Sequence, residues 1–360
     1  MDDGYWIIWH SSQPTGGEVF AAGQLITADL QRAFQRRLPS AFERLPNNRN
    51  GLHLGVAPCD PCATQSRGLC RPNESRGLCP RSLNRWASFT GNWFDRKSLG
   101  NFSAYNLRSA GIMAGFDRKV TRNSFGGIAF GYDNAFQKFD SHQASNRVDT
   151  FRSMLYGGIV NRNSYADGYI GYTKNWHQTR RNTNGATARS KFNDDLFSTG
   201  FELGRRLSLR AGGVNSPVSL TPSIGLHYIH LSTPGITESG AGAADLFVRA
   251  GRYNSLRMPM GAKLSRELYS RNGFVWTPEL RAYYIREFAD DSVRAITSLS
   301  SNRSTRFLSD SGSWGRNSGR LGAGLGVDLT DRINFRVDYD YEVFDHTALS
   351  ELGATLGVKW

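Results

Sequence analysis

The chain has 360 residues, room for one large domain or two ordinary ones, with 39% hydrophobic residues and a mean hydropathy of −0.46. No run approaches the roughly 18 apolar residues of a spanning helix, which excludes a helical membrane protein but not a barrel, whose segments of about 10 residues alternate in polarity. The net charge of +13 comes from arginine, since 44 basic residues less 7 lysines leaves 37; such a balance suits nucleic acid, an anionic membrane surface or a wet basic interior.

The opening MDDGYWIIWH has no basic n-region, long apolar core or small-residue cleavage site. It does not read as a signal peptide, so for an exported chain the true start is expected upstream. Residues 1–83 differ from the rest and read as a linker or passenger remnant. Within them ITADLQRAFQRRL predicts a helix from residue 26. Thr27 is placed to cap it and Asp29 lies in its first turn. Leu30, Phe34 and Leu38 recur at four-residue spacing, and Phe42 and Leu45 prolong the stripe past Pro39 to about residue 45. Cys59, Cys62, Cys70 and Cys79 follow in a 59–79 segment. In an exported chain they read as two disulfides of open connectivity, with a zinc site or free thiols as alternatives.

From Arg85 onward the period is two. Thirty-nine glycines and 12% aromatics also suit strands and turns. The alternation predicts twelve strands, at about 85–94, 106–120, 123–136, 147–161, 164–178, 193–209, 217–231, 248–267, 273–289, 316–329, 332–344 and 350–360. RINFRVDYDYEVF puts Ile333, Phe335, Val337, Tyr339, Tyr341 and Val343 on one face, with Arg332, Asn334, Arg336, Asp338, Asp340 and Glu342 on the other. In GRLGAGLGVDL, Gly322, Gly324 and Gly326 lie opposite Leu321, Ala323 and Leu325. In the closing LSELGATLGVKW, Leu352, Ala354, Leu356, Val358 and Trp360 share the apolar face.

Links alternate long and short. AFQKFDSHQASN, QTRRNTNGATARSKF, STPGITESGAGAADL and 290–314 are expected as long loops; 121–122, 161–164, 270–273 and 330–331 are expected as tight turns. That pattern fits an even set of strands crossing a layer up and down. A soluble barrel would turn its apolar faces inward, whereas lipid inverts the order and requires closure. Two features favour lipid. Aromatics gather near predicted strand ends (Trp86, Trp93, Tyr132, Tyr169, Tyr172, Trp176, Tyr283, Tyr284 and Trp360), where interface girdles are expected. Opposite charges share the polar faces, as a wet lumen tolerates. Arg332, Arg336, Asp338, Asp340 and Glu342 are accordingly expected in the lumen, and Trp86, Trp93, Trp176 and Trp360 at the interfaces. The predicted fold is all-β, a 12-stranded antiparallel transmembrane β-barrel over 84–360 behind a helix-containing extension.

These residues resemble the autotransporter (type V secretion) β-domain family. Trp86 opens the first strand, SAGIMAGFDRKV is followed by GGIAFGYD, and ESGAGAADLFVRAGRYNSLRMPMGAKL precedes PELRAYYIREF before a terminal Gly-Val-Lys-Trp. The resemblance implies an outer-membrane translocator that anchors an N-terminal passenger at the cell surface. It also implies insertion by the β-barrel assembly machinery, which reads the last strand through Ala354, Leu356, Val358 and Trp360. The implied partners are the bilayer, lipopolysaccharide, that machinery and the passenger, without nucleic acid or cofactor. His227 and His230 are three apart in a strand and face opposite ways, so they do not share a metal. His177 and His346 lie near strand ends. The sequence contains no nucleophile elbow or HExxH spacing, and no enzyme is expected.

Overall fold

The protein, seen in a computed structural model, is described for residues 83–359 except 98–103, 122, 140–143, 162, 184, 210–217, 312, 331 and 346. The expected helix, the four cysteines, His346 and Trp360 lie outside the described residues. Twelve long antiparallel strands form the wall: β1 Leu83–Arg96, β2 Tyr105–Lys119, β3 Ser124–Phe139, β4 Ala144–Asn161, β5 Ser164–Thr183, β6 Ala186–Arg205, β7 Val218–Thr233, β8 Gly251–Arg266, β9 Val275–Glu287, β10 Asn317–Asp328, β11 Ile333–Val343 and β12 Thr347–Lys359. Each pairs with its neighbour in sequence, and β12 pairs with β1 from Asn84↔Lys359 to Arg96↔Thr347, which closes the sheet.

Closure fixes the tilt. Paired residues traced from Ser265 through Glu279, Gly324, Asp338, Gly353, Thr90, Gly111, Asp133, Thr150 and Asn175 lead to Asp194. The next strand brings Thr233 beside it, and Thr233 pairs with Gly251. One circuit therefore shifts the register by 14 residues (265 − 251 = 14), a stagger that tilts twelve strands by about 40°.

The faces are inverted relative to a soluble protein. On β11, Asn334, Arg336, Asp338, Asp340 and Glu342 are buried, while Phe335, Val337, Tyr339 and Tyr341 are exposed. Leu321 is 65% and Leu280 61% exposed, against 1% for Glu342 and 0% for Glu351. Exposed apolar side chains recur outward on every long strand, which is the arrangement hydrocarbon demands.

Two expected loops are strand instead. β3 and β4 stay paired to Phe139↔Ala144, and β5 and β6 to Thr183↔Ala186, leaving a two-residue link in which Gly185 takes φ +78°. Above the membrane the outward face is wet while the inner one mixes polar and apolar side chains under the roof, so these segments pair without apolar alternation. The predicted strand 248–267 is also cut: Leu246–Val248 belongs to a second sheet, and β8 begins at Gly251. That second sheet has four antiparallel strands in the order 306–310, 294–299, 246–248, 236–237, drawn from the links after β9 and β7.

If the outward face meets hydrocarbon, Leu280→Arg near mid-strand will destabilise the barrel by about 2–4 kcal/mol in urea titrations from lipid vesicles. An unchanged midpoint would exclude a lipid-facing wall. Wild-type protein will migrate faster unboiled than boiled in detergent gels.

Candidate functional site: the lumen and its roof

Charged side chains on β8 to β11 interlock on the inner wall. The Arg336 guanidinium donates through Nε to both oxygens of Asp338 (3.0 and 2.8 Å) and through Nη2 to Glu279 (2.9 Å). Arg281 donates through Nη1 to Glu279 (2.9 Å) and Asp338 (2.7 Å), and through Nη2 to Asp340 (3.1 Å). Lys263 lies 3.7 Å from Glu279. Nearer the outer mouth, Glu342 accepts from Arg257, from Arg320 (3.1 Å) and from Ser318 (2.8 Å).

Glycine makes the first of these networks possible. Gly324 lies between Glu279 and Asp338, and Gly322 between Arg281 and Asp340. A Cβ at Gly324 would sit 2.5 Å from Asp338 Oδ1 and 2.6 Å from Arg336 Nη2, and one at Gly322 only 2.1 Å from Asp340 Oδ1. The bare backbone of β10 is a trough across which charges from β9 and β11 meet. Each buried charge thereby gains several charge-assisted partners, the condition for holding it out of water.

The opposite wall uses neutral groups more. Trp86 lies over Gly115, with which it is paired and where a Cβ would meet its ring at 2.8 Å, and donates through Nε1 to Tyr156 Oη (2.7 Å). Tyr156 in turn donates to Asp117 (2.9 Å), which also accepts from Asn84 (2.8 Å). Farther out, Thr150, Asn175, Asp194 and His177 form a buried chain, with the His177 ring stacked 4.4 Å from Phe192.

The roof sheet covers the outer mouth. Ile236, Val248, Val293 and Ala295 pack against Phe192, Leu196, Ile229 and Leu231 on the inner faces of β6 and β7. Phe94, Tyr105, Leu107, Phe139 and Leu349 form another apolar cluster on the β1–β3 and β12 side. Trp314 packs against both clusters. Since β1 and β7 are six strands apart in a ring of twelve, the 288–316 link spans the diameter. Polar ties hold the margins of the 234–250 and 288–316 links: Arg181 to Glu238 (3.1 Å through Nε) and to the Ala244 carbonyl (2.8 Å), Arg96 to the Ser311 carbonyl, and paired backbone bonds between Arg189 and Ser239 (2.8 and 2.9 Å).

Of the residues expected in the lumen, Arg336, Asp338, Asp340 and Glu342 point inward, whereas Arg332 is exposed in the turn before β11. Trp93 and Trp176 face outward, together with Tyr132, Tyr172 and Tyr284; Trp86, Tyr169 and Tyr283 face inward. Trp86 departs from the expected interface position because its parity on β1 is even, and the even face is the lumenal one. Ala354, Leu356 and Val358 line the outward face of β12. His227 points in and His230 out, the latter bonded to Asn254 (2.8 Å). Sequence reasoning passed over Glu279 and Arg281, although PELRAYYIRE alternates them with Leu280 and Ala282. It passed over Trp314 because a loop residue carries no periodicity.

A family model described as the Autotransporter beta-domain matches residues 85–340. Outer membrane protein B of Rickettsia typhi is 20% identical over 272 residues, covering 72% of this chain and 16% of that protein. Outer membrane protein A of Rickettsia rickettsii is 23% identical over 273 residues, covering 72% and 12%. The chain thus spans less than a fifth of the length of these relatives. The translocator domain of the autotransporter NalP from Neisseria meningitidis has a similar fold, with TM-score 0.67, 14% identity, and 95% of this chain and 99% of that one covered. The beta domain of the Bordetella autotransporter BrkA gives 0.59, 17%, 77% and 98%.

Three substitutions test this geometry. Gly324→Ala will cost about 1–3 kcal/mol by forcing the Arg336–Asp338 contact apart, while Gly319→Ala, with nothing within 4 Å of its Cβ, will leave the unfolding midpoint in place. Trp314→Ala will speed hydrogen exchange of the 294–299 amides by about 30-fold, equivalent to about 2 kcal/mol of lost packing, with the β1–β12 amides unchanged. Unchanged exchange at 294–299 would show that Trp314 does not hold the roof.

Proposed function

Since the chain belongs to the autotransporter beta-domain family, we propose that its barrel, set in the outer membrane, anchors an N-terminal passenger and supports its passage to the cell surface. The observation that supports this is the direction of β1. Leu83 pairs with Arg118, beside the short link at 120–123, so β1 starts at the short-turn mouth. In outer-membrane barrels the short turns are periplasmic. Any segment upstream of Leu83 therefore begins at the inner face, and a passenger displayed outside must pass through the lumen.

In this reading residues 1–83 are the linker or passenger remnant, and the helix expected at 26–45 is the part suited to the lumen. The polar inner wall offers water-compatible surface to a moving chain. Cys59, Cys62, Cys70 and Cys79 form disulfides in the oxidising compartment beyond the inner membrane. The outward stripe of Leu352, Ala354, Leu356 and Val358, ending at Trp360, is the signal engaged by the β-barrel assembly machinery. The barrel itself is a conduit and anchor without catalysis of its own.

The test fuses a reporter domain ahead of Met1 in cells that possess an outer membrane. External protease is expected to release the reporter while the barrel stays folded and membrane-bound. Deletion of 350–360 is expected to abolish both the heat-modifiable band and the surface reporter. A reporter protected from protease above a correctly folded barrel would refute the passage.

A further inference from the structure

Beyond the aromatic girdle, the outward faces of β3 to β6 carry five exposed cations: Lys138, Arg147, Arg180, Arg189 and Lys191. The register places them close together. Arg180 is directly opposite Arg189. Arg147 and Lys191 flank Gln178, one outward position below Arg180 on β5, and Lys138 reaches Arg180 through Ser145. With strands about 4.8 Å apart and a rise of about 3.3 Å per residue, Arg147, Arg180, Arg189 and Lys191 fall within roughly 12 Å of one another, with Arg180 within about 8 Å of the other three. Among the described residues none of the five makes an ion pair within 4 Å, whereas most cations of the inner wall do. Of the outward carboxylates below them, Asp149 accepts from Tyr132 and Asn134, both at 2.7 Å, and lies within electrostatic reach of Arg147 without pairing with it inside 4 Å, and Asp195 accepts from Lys174 (2.7 Å) and Tyr172.

Like charges directly opposite each other in a sheet are destabilising, so Arg180↔Arg189 carries a cost that a bound anion would remove. Depth identifies the anion. Phe136 lies one outward position below Lys138 on its strand, and Trp176 two positions below Arg180; both are exposed and mark the hydrocarbon boundary. The long Lys and Arg stems span the short rise from that boundary into the headgroup layer. Arginine pairs there suit the planar, bidentate recognition of phosphate oxygens.

We propose that this patch is a binding site for the phosphorylated sugar headgroup of an outer-leaflet glycolipid of the lipopolysaccharide class, held by Arg147, Arg180, Arg189 and Lys191 with Lys138 at its edge. The site rests on the orientation given above, with the long β3–β4 and β5–β6 hairpins outward. It adds a fixed lipid contact on one side of the barrel, where the hairpins rise farthest from the membrane.

The experiment measures binding of purified full-length protein, in detergent, to phosphorylated lipopolysaccharide and to its dephosphorylated form. Wild type is expected to prefer the phosphorylated lipid. Arg147→Gln, Arg180→Gln, Arg189→Gln and Lys191→Gln together are expected to weaken that binding about a hundred-fold, and the inner-end control Arg118→Gln to leave it unchanged. The heat-shifted gel band shows whether the quadruple variant folds; should it not, Arg180→Gln alone is expected to lose several-fold. Equal affinity for the two lipids, or wild-type affinity in the folded variant, would overturn the proposal. So would equal retention of a non-lipid polyanion such as heparin, which marks the patch as a general polyanion surface. An epitope inserted between Thr183 and Ala186 separates the two readings. If it is not reached by antibody on intact cells, the orientation fails; if it is reached and the lipid does not bind, only this site fails.

Discussion

Hydrocarbon supplies no hydrogen-bond partner, so every backbone N–H and C=O on the membrane-crossing wall must find one within the protein. In this chain the requirement falls on a single seam. The thirteen residue pairs that join β12 to β1 remove the two edges that an open twelve-stranded sheet would expose. The other features of the wall follow from that seam. The closed ring with its 14-residue stagger sets the tilt, and the tilt sets how many residues cross the membrane. At about 40°, roughly 10 residues cross about 25 Å of hydrocarbon, so β5 and β6, at 20 residues each, carry an excess that must stand in water.

Closure also creates an inside that neither lipid nor bulk water satisfies freely. On the β8–β11 side the chain meets this by pairing charges across strands, while apolar clusters line other parts of the inner face. Glu279, Arg281, Arg336, Asp338 and Asp340 would not meet if β10 carried side chains at positions 322 and 324, because those would stand between the charges of β9 and β11. Gly322 and Gly324 are thus structural partners of the charges. The same device recurs where Trp86 lies over Gly115 and reaches Tyr156. A pattern of outward leucines alternating with inward glycines on β10 serves lipid on one face and a charge lattice on the other.

Within the membrane the wall was legible in the sequence, since lipid forces one face apolar and the alternation of Ile333 to Val343 reports it residue by residue. Where that pressure ends, legibility ends with it. Beyond Phe136 and Trp176 the described outward positions are polar (Lys138, Ser145, Gln178, Arg180, Asn182, Arg189 and Lys191) and the inner ones mixed, so the sequence there resembles loops, and only the Asn-Gly pair at 184–185 signals a tight hairpin. Trp86 shows the opposite failure: a tryptophan near a strand end suggested an interface, and only its parity on β1, settled by the register with Gly115 and Lys359-side pairs, places it in the lumen. Arg332 was assigned by alternation to a strand that begins one residue later. The roof left no periodic trace. Its strands are two to six residues long, and its packing depends on which barrel positions lie beneath them.

The roof and the direction of β1 impose opposite demands on the lumen. A chain entering at the short-turn mouth and leaving at the far one has to displace 234–250 and 288–316, which meet over β6, β7 and β1 through Trp314. Among the described residues these links are tied to the wall mainly at their margins, by Arg181, Arg96 and the Arg189–Ser239 pair, and their centre is held mainly by apolar packing. Apolar packing is non-directional and releases in small steps, whereas the wall opens only if whole ladders break. The molecule therefore divides its stability in two: a seam that cannot part without exposing backbone to lipid, and a cover whose displacement exposes side chains and a few backbone groups to water, which can hydrogen-bond them. The proposed transit and the closed wall are compatible in one barrel because they draw on different interactions.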